Sequence, residues 1–270
     1  MNIAVCIKQV PDTTEIRIDP VKNTLVRAGV PSIMNPFDRY ALEAARVLCD
    51  AEGGRVVALS MGPAQAKDVL REALSVGADE AYLVTDRAFG GSDTYATSSI
   101  LAAAIRHLGS FDLVLGGMQA IDGDTGQTAA SIAEHLGYSL VTHAIDLRIE
   151  KGKVIVERRI EEGVEVVEAS LPCVCTLTKE GLSPRYATVR SKLASLRADV
   201  PEVHLSDMVE QIDVASIGLK GSPTRVKSTF VPERSAAGTR IEGSPREMAS
   251  VLIDKLEQAK VLRRKGGCNV

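Results

Sequence analysis

From the N-terminus, short apolar runs rich in β-branched residues alternate with segments whose apolar residues recur every three or four positions. Ile3-Ala4-Val5-Cys6-Ile7 opens the series and, extended to Lys8, reads as a buried strand. Residues 16–19 and 24–26, parted by Pro20 to Asn23, read as a small hairpin. The first main helix has a clear start. Asn35 can cap it, Pro36 suits its first turn, and Asp38 brings negative charge to the positive end of the helix dipole. Leu42, Ala45 and Leu48 share one face, and Gly53-Gly54 ends the helix. Residues 55–61 form the next strand, broken at Gly62-Pro63. A helix is predicted from about 64 to 76, with Val69, Ala73 and Val76 on its apolar face and Gly77 as its C-terminal cap. Strand 81–84, loop 85–91, an Asp93-capped helix reaching Leu108, strand 112–116, loop 117–126 and a helix ending near Gly137 continue the alternation. Such alternation specifies βαβ units, so the predicted fold class is α/β, a doubly wound and mainly parallel sheet.

Beyond Gly137 the period drops to two. Residues 141–149, 154–159, 164–169 and 172–177 read as strands joined by turns at Lys151-Gly152 and Glu162-Gly163, an antiparallel extension of the sheet. From Lys179 onward the chain is basic and irregular, punctuated by Pro201, Pro223 and Pro232. A last helix, about 246–262, sets Met248, Leu252, Leu256 and Val261 near one stripe. The pattern divides the chain into a domain, 1–180, and a C-terminal arm, 181–270, with too little apolar content for a core of its own.

Composition narrows the class without changing the fold. Formal net charge is −3, from 32 basic and 35 acidic residues, so the basic excess of a nucleic-acid binder is missing. Aromatic residues amount to 3% and tryptophan is absent, which leaves little to stack single-stranded bases on. No apolar run approaches the roughly 18 residues that cross a bilayer, and Met1-Asn2 leads straight into the first strand, without a signal-peptide pattern. Five cysteines, an odd number, outline no disulfide framework and point to a reducing compartment, by default the cytoplasm.

In open parallel sheets, ligands bind beyond the carboxyl ends of the strands, where the strand order reverses. Four segments that follow predicted strands carry small or polar residues: 8–12, 35–38, 61–63 and 117–128. The last reads Gly117-Met118-Gln119-Ala120-Ile121-Asp122-Gly123-Asp124-Thr125-Gly126-Gln127-Thr128. Gly123 and Gly126 permit close backbone approach. Thr125, Gln127 and Thr128 place side-chain donors beside the N–H groups of a helix start, an anion cradle suited to a diphosphate. Glycines after strands also serve tight turns alone, and this loop by itself does not separate the two readings. Neither a P-loop Gly-Lys-Ser/Thr nor a Gly-x-Gly-x-x-Gly follows a strand. Asp122-Gly123-Asp124-Thr125 formally matches the element of aspartate-nucleophile phosphatases, but there the aspartate directly follows its strand, whereas Asp122 lies six residues beyond Gly116. Cys173 and Cys175 alternate on one strand, face the same way, and lack the further ligands of a metal site. His107, His135, His143 and His204 are scattered and suggest no hydrolytic triad. The basic cluster Arg185, Arg190, Lys192 and Arg197 reads equally as a solvated surface or a docking surface.

Taken together, these segments resemble the beta subunit of electron-transfer flavoproteins. The matching pieces are Cys6-Ile7-Lys8-Gln9-Val10-Pro11-Asp12, Asn35-Pro36-Phe37-Asp38 with the helix 40–45, Ser60-Met61-Gly62-Pro63, the 117–128 loop, and Pro184-Arg185-Tyr186-Ala187-Thr188. They stand in register from the N-terminus to about residue 197. The resemblance implies a subunit without catalytic residues of its own, paired with an alpha subunit that carries FAD. It also implies electron exchange with dehydrogenases, often of the acyl-CoA type, and in bifurcating members with NADH and ferredoxin. The beta subunit's own site holds AMP in simple carriers and a second FAD in bifurcating members. Carried over, that site comprises Cys6, Asn35, Pro36, Phe37, Asp38, Met61 and every residue of the 117–128 loop. Asp122-Gly123-Asp124-Thr125 looks like the bifurcating form, which favours FAD over AMP: simple carriers are more acidic here and would repel a second phosphate. The family's partner-docking loop falls on Arg185, Val189, Arg190 and Lys192, with Val189 where leucine is common. The competing reading, a stand-alone nucleotide-dependent hydrolase on the same fold, lacks an evident nucleophile–base pair.

Overall fold

Successive residues of the first strand, β1 (Asn2–Cys6), point to opposite sides: Ile3 and Val5 join one buried cluster, Ala4 the other. The same alternation runs through β4 (Arg55–Met61), where Val56 and Ala58 face Val57 and Leu59 across the sheet, and through β6 (Leu113–Gly117). A sheet apolar on both faces must be covered on both. Helices α1 (Pro36–Glu52) and α2 (Lys67–Val76) cover the first face with Leu42, Leu48, Val69 and Leu70. Helices α3 (Thr94–Leu108) and α4 (Thr128–Leu136) cover the second with Ile100, Ile105 and Ile132. The result is the doubly wound α/β architecture that the pattern specifies. This computed structural model describes residues 1–12, 31–228 and 238–262, so the hairpin expected at 16–26 lies outside the described residues.

The remaining strands of the large sheet are β5 (Glu80–Val84), β7 (Ser139–Glu150), β8 (Lys153–Ile160), β9 (Gly163–Ser170), β10 (Cys173–Leu177) and β11 (Glu202–Val203). Among the described residues the order is β11-β5-β4-β1-β6-β10-β7-β8-β9. Every neighbour pair from β11 to β7 is parallel, and only β7-β8-β9 is antiparallel. This corrects one expectation. The strand near 172–177 does not extend the antiparallel ribbon; β10 inserts between β6 and β7, parallel to both, with Cys173 opposite Leu113 and Ser139. All five of its residues are buried, and such a strand needs neighbours on both edges and cover on both faces. The first strand also stops earlier than expected. After Cys6 the chain turns out of the sheet, and β2 (Gln9–Pro11) pairs with β3 (Ser32–Met34) as a separate antiparallel ribbon. The helix expected from residue 64 opens as a 3-10 turn, 64–66, before α2 begins.

The chain divides into two compact units, residues 1–227 and 228–270. Within the first, α5 (Val189–Arg197) packs beside α2, and β11 pairs with β5. The second contains α6's successor in the chain, α7 (Pro245–Gln258), opened by a capping box of Ser244 and Glu247; the short α6 (Gly218–Gly221) belongs to the first unit.

Asp93 caps α3 as expected and has a second task. Oδ1 accepts from Ala96 N at 3.0 Å, while Oδ2 accepts from Thr224 N and Oγ1 at 2.9 and 2.7 Å. Burial pushes its carboxyl up, but the donations from Ala96, Thr224 and Tyr95 outweigh burial and hold it below the usual value of 3.8. The tether is therefore fully formed above about pH 4 and is lost as pH falls through the depressed pKa. Asp93→Ala is expected to cost about 1–2 kcal/mol at neutral pH, the range for a lost N-cap, and Thr224→Ala less. Urea denaturation of each variant at neutral and acidic pH checks this: the wild-type advantage must shrink in acid.

Candidate functional site

From β1 the chain proceeds through β4 to β5 on one side, then crosses over to place β6 on the other side of β1. The strand order reverses there, and the carboxyl ends of β1 and β6 open a crevice. A cavity of about 780 Å³ fills it. Cys6, Asn35, Asp38, Met61 and the 117–128 loop, apart from Ile121, line the cavity. Pro36, Phe37 and Ile121 lie outside that lining: Pro36 opens α1, and Phe37 lies beneath the Lys179 ammonium, 4.4 Å from its ring centre. The cavity continues past the expected residues to Thr85, Asp86, Arg87 and Ser92, on the loop after β5. Sequence reasoning marked that loop only as a connection. Its one signal was its position after a strand, and the sheet order that brings it here is not written locally.

Asn35 holds the cap position of α1 yet makes no capping bond, contrary to expectation. Its amide turns to the neighbouring loop instead. Nδ2 donates to Gln119 O and to Asp38 Oδ1, both at 2.9 Å, and Oδ1 accepts from Ile121 N at 3.3 Å. Asp38 likewise does more than face the helix dipole. Its Oδ2 accepts from Lys8 N at 2.7 Å and its Oδ1 from Gly117 N at 3.0 Å. Burial pushes the Asp38 carboxyl up to about 7, against the opposing pull of Lys8, Asn35 and Gly117. Burial, and then the charge of Asp38, push the neighbouring Cys6 thiol up to about 12, so it stays neutral.

The loop itself folds around a tight turn, with Gly123 N and Asp124 N both donating to Ala120 O. Asp124 takes a left-handed backbone, φ 49°, and Gly126 another, φ 62°. Neither loop carboxylate is free. Lys8 Nζ pairs with Asp122 Oδ1 at 2.6 Å, and Gln119 Nε2 donates to Asp124 Oδ1 at 3.0 Å. Beyond Gly126, α4 begins at the cavity without a side-chain cap, and Thr125, Gln127 and Thr128 stand on the cavity wall. That arrangement can hold a diphosphate. Cys173 and Cys175 sit apart from it, fully buried in the core with their sulfurs 3.7 Å from each other.

The sequence model described as electron transfer flavoprotein domain matches residues 22–208. The electron transfer flavoprotein subunit beta of Clostridium acetobutylicum is 48% identical over 258 residues, covering 96% of this chain and 98% of the relative. The caffeyl-CoA reductase-Etf complex subunit CarD of Acetobacterium woodii is 46% identical over 264 residues, 97% of this chain and 100% of the relative. Protein FixA of Azorhizobium caulinodans is 43% identical over 264 residues, covering 95% and 94%. The chain belongs to the electron transfer flavoprotein family.

Within this electron transfer flavoprotein chain, the expected docking residues fall into two kinds. Arg185 is pinned: its backbone N and guanidinium donate to Glu43 at 2.9–3.2 Å, and Nη2 reaches Asp50 at 3.3 Å. Glu43 is buried in the flank of α1, so Arg185 anchors the segment to the domain. Val189, by contrast, is 79% exposed at the start of α5, with Arg190 and Lys192 exposed beside it. Thr188 and Ser191 close a capping box there and fix where Val189 projects.

Gly117 is the tightest point of the site. A Cβ on it would lie 2.5 Å from both Asp38 Oδ1 and Phe37 Cβ. Gly117→Ala is expected to cost about 1–3 kcal/mol, the range for overpacking. The variant should melt lower than the wild type, and its Gly117-site amide should exchange faster with solvent. Unchanged melting and exchange would show that this packing is not as tight as described.

Proposed function

We propose that this chain is the beta subunit of a heterodimeric electron transfer flavoprotein and holds FAD in the cavity between β1 and β6. The observation that carries the reading is the cavity's reach: it runs from the 117–128 loop past β1 and β4 to the loop after β5. At about 780 Å³ it lies in the upper part of the ~300–1,000 Å³ range of small-molecule sites. A dinucleotide uses that length; a mononucleotide leaves much of it unfilled. Charge supports the same ligand. Asp122 and Asp124 would repel a diphosphate, but Lys8 and Gln119 already engage them. The N-terminus of α4, with Thr125 and Thr128, then supplies donors to the phosphate oxygens. Bound there, FAD supplies one- and two-electron transfer. The protein's own residues orient it and keep the site free of a competing thiolate at Cys6.

The partner subunit is an alpha chain with its own FAD. The Acetobacterium relative is named as a subunit of a caffeyl-CoA reductase-Etf complex. By that likeness the dehydrogenase partner of this chain is a flavin enzyme of the acyl-CoA type, with NADH as donor and ferredoxin as low-potential acceptor. No helix among the described residues is long and apolar enough to cross a membrane, and the complex is proposed to work in the cytoplasm.

Acid release from the purified heterodimer, followed by chromatography, should give two FAD and little AMP. One FAD and one AMP would make the protein a simple carrier instead. Gly123 has open space around it and no left-handed backbone, so the fold itself accepts a side chain there. Gly123→Val should therefore empty the site while leaving the melting temperature of the nucleotide-free protein unchanged. Thr125→Ala should weaken retention by about 1–2 kcal/mol, the range for losing a charge-assisted hydrogen bond. Full nucleotide in both variants would move the site elsewhere.

Docking is tested separately, at Val189. Because it is exposed, Val189→Asp should leave both melting temperature and nucleotide content unchanged. It should nearly abolish electron exchange with the dehydrogenase, since a carboxylate would be desolvated in an apolar contact. Undiminished exchange would remove Val189 from the docking surface.

A further inference from the structure

Asp38 lines the cavity at 5% exposure, yet both its oxygens are spent on the protein itself. Oδ2 accepts from Lys8 N, just beyond the end of β1, and Oδ1 from Gly117 N, the last residue of β6, and from Asn35 Nδ2. These are the two strands whose carboxyl ends frame the crevice. All three partners are donors, so the ionised carboxylate, an acceptor at both oxygens, suits them, and protonation removes the charge that strengthens each bond. Lys8 does not neutralise the group by contact, because its Nζ is turned to Asp122. We propose that Asp38 is a positioning residue whose ionised carboxylate locks the ends of β1 and β6 together and so sets the nucleotide loop in its binding geometry. This rests on the nucleotide cavity proposed above.

The charged and titratable groups around Asp38 come from each element packed on it. From β1 come Cys6, held neutral, and Lys8, which exerts a favourable charge from beyond the strand. From the loop after β6 comes Asp122, paired with Lys8. After β10, Lys179 stands over the adjoining Phe37 ring. Burial places the Asp38 carboxyl at about 7, well above its usual 3.8. Nucleotide binding needs the ionised form, so affinity is complete above that pKa and falls as pH drops through it.

The test uses the heterodimer with its alpha subunit, with added FAD as the probe, because the bridging diphosphate of FAD keeps its charge near neutrality. Wild-type affinity should weaken about tenfold between pH 8 and pH 6, the linkage expected for one group with this pKa. Asp38→Asn, which offers only one acceptor oxygen to its three donors, should bind weakly at pH 8 and show no step. Hydrogen exchange at the Lys8 and Gly117 amides, corrected for the intrinsic pH effect, should lose protection in step with affinity in the wild type. In Asp38→Asn the protection should be low at both pH values. A flat wild-type affinity profile, or Gly117 protection that neither pH nor the substitution changes, overturns the proposal. Should Asp38→Asn fail to fold, the wild-type exchange profile alone decides. Thr125→Ala keeps the two readings apart, since it should weaken FAD equally at both pH values and preserve the step. Unaltered FAD affinity in Thr125→Ala counts against the nucleotide site, while amide exchange still judges Asp38.

Discussion

Three chain segments that are far apart in sequence meet on one carboxylate and one amide. Asp38 takes the backbone N–H groups of Lys8 and Gly117, and Asn35 takes Gln119 O and Ile121 N–H. A buried polar group without partners costs about 1–3 kcal/mol, more when charged, so each bond in this node depends on the others being made. Remove Asn35 and Asp38 loses one donor; move Gly117 and both Asp38 Oδ1 and the loop behind it lose their place. The absence of a side chain at Gly117 is what lets the strand end come so close. Networks of this kind are rigid when complete and costly when incomplete, which suits a site that must present a fixed row of N–H groups to an anion.

The doubly wound sheet explains why the node stands where it does. β1 and β6 are neighbours but not sequential, so the loops that leave them diverge to opposite faces and expose a crevice. α1 returns under that crevice and delivers Asn35 and Asp38 from its first turn. The 117–128 loop leaves β6 over it and delivers the start of α4. Between them, Lys8 and Asp122 form an ion pair across the mouth. Half-exposed on the lysine side, that pair contributes little stability; in the proposed nucleotide site its part would be to offset a negative charge on the loop.

Much of this was legible in the sequence, where the signals were local. Strand β4 matches its expected span because Gly53-Gly54 and Gly62-Pro63 bracket it. α3 starts at Asp93 as read, and the glycines at 53, 77 and 137 end the helices before them. Most of the segments that line the cavity were legible as segments after strands, joined by a family resemblance. What escaped was long-range. β10 reads like one more ribbon strand, and only the burial of both its faces shows that it belongs inside the sheet. Asn35 follows the local capping pattern, yet tertiary partners 84 and 86 residues away outcompete the helix for its amide. Arg185 reads as a surface charge because Glu43, which takes its guanidinium, lies 142 residues earlier.

That last pairing ties the two ends of the proposed function to one element. At its start α1 carries the node that holds the 117–128 loop, and on later turns Glu43 and Asp50 grip Arg185. From Arg185 the chain has only two residues, Tyr186 and Ala187, before the Thr188 cap and the exposed Val189. A helix is stiff over this length, so the distance between the cavity and the exposed apolar residue is set by α1 and two clusters of hydrogen bonds. Loop flexibility has little part in it. In the proposed function, electron transfer between a flavin in the cavity and a partner seated on Val189 would call for such a fixed separation. The buried carboxylates of Asp38 and Glu43 are the two points at which the fold supplies it.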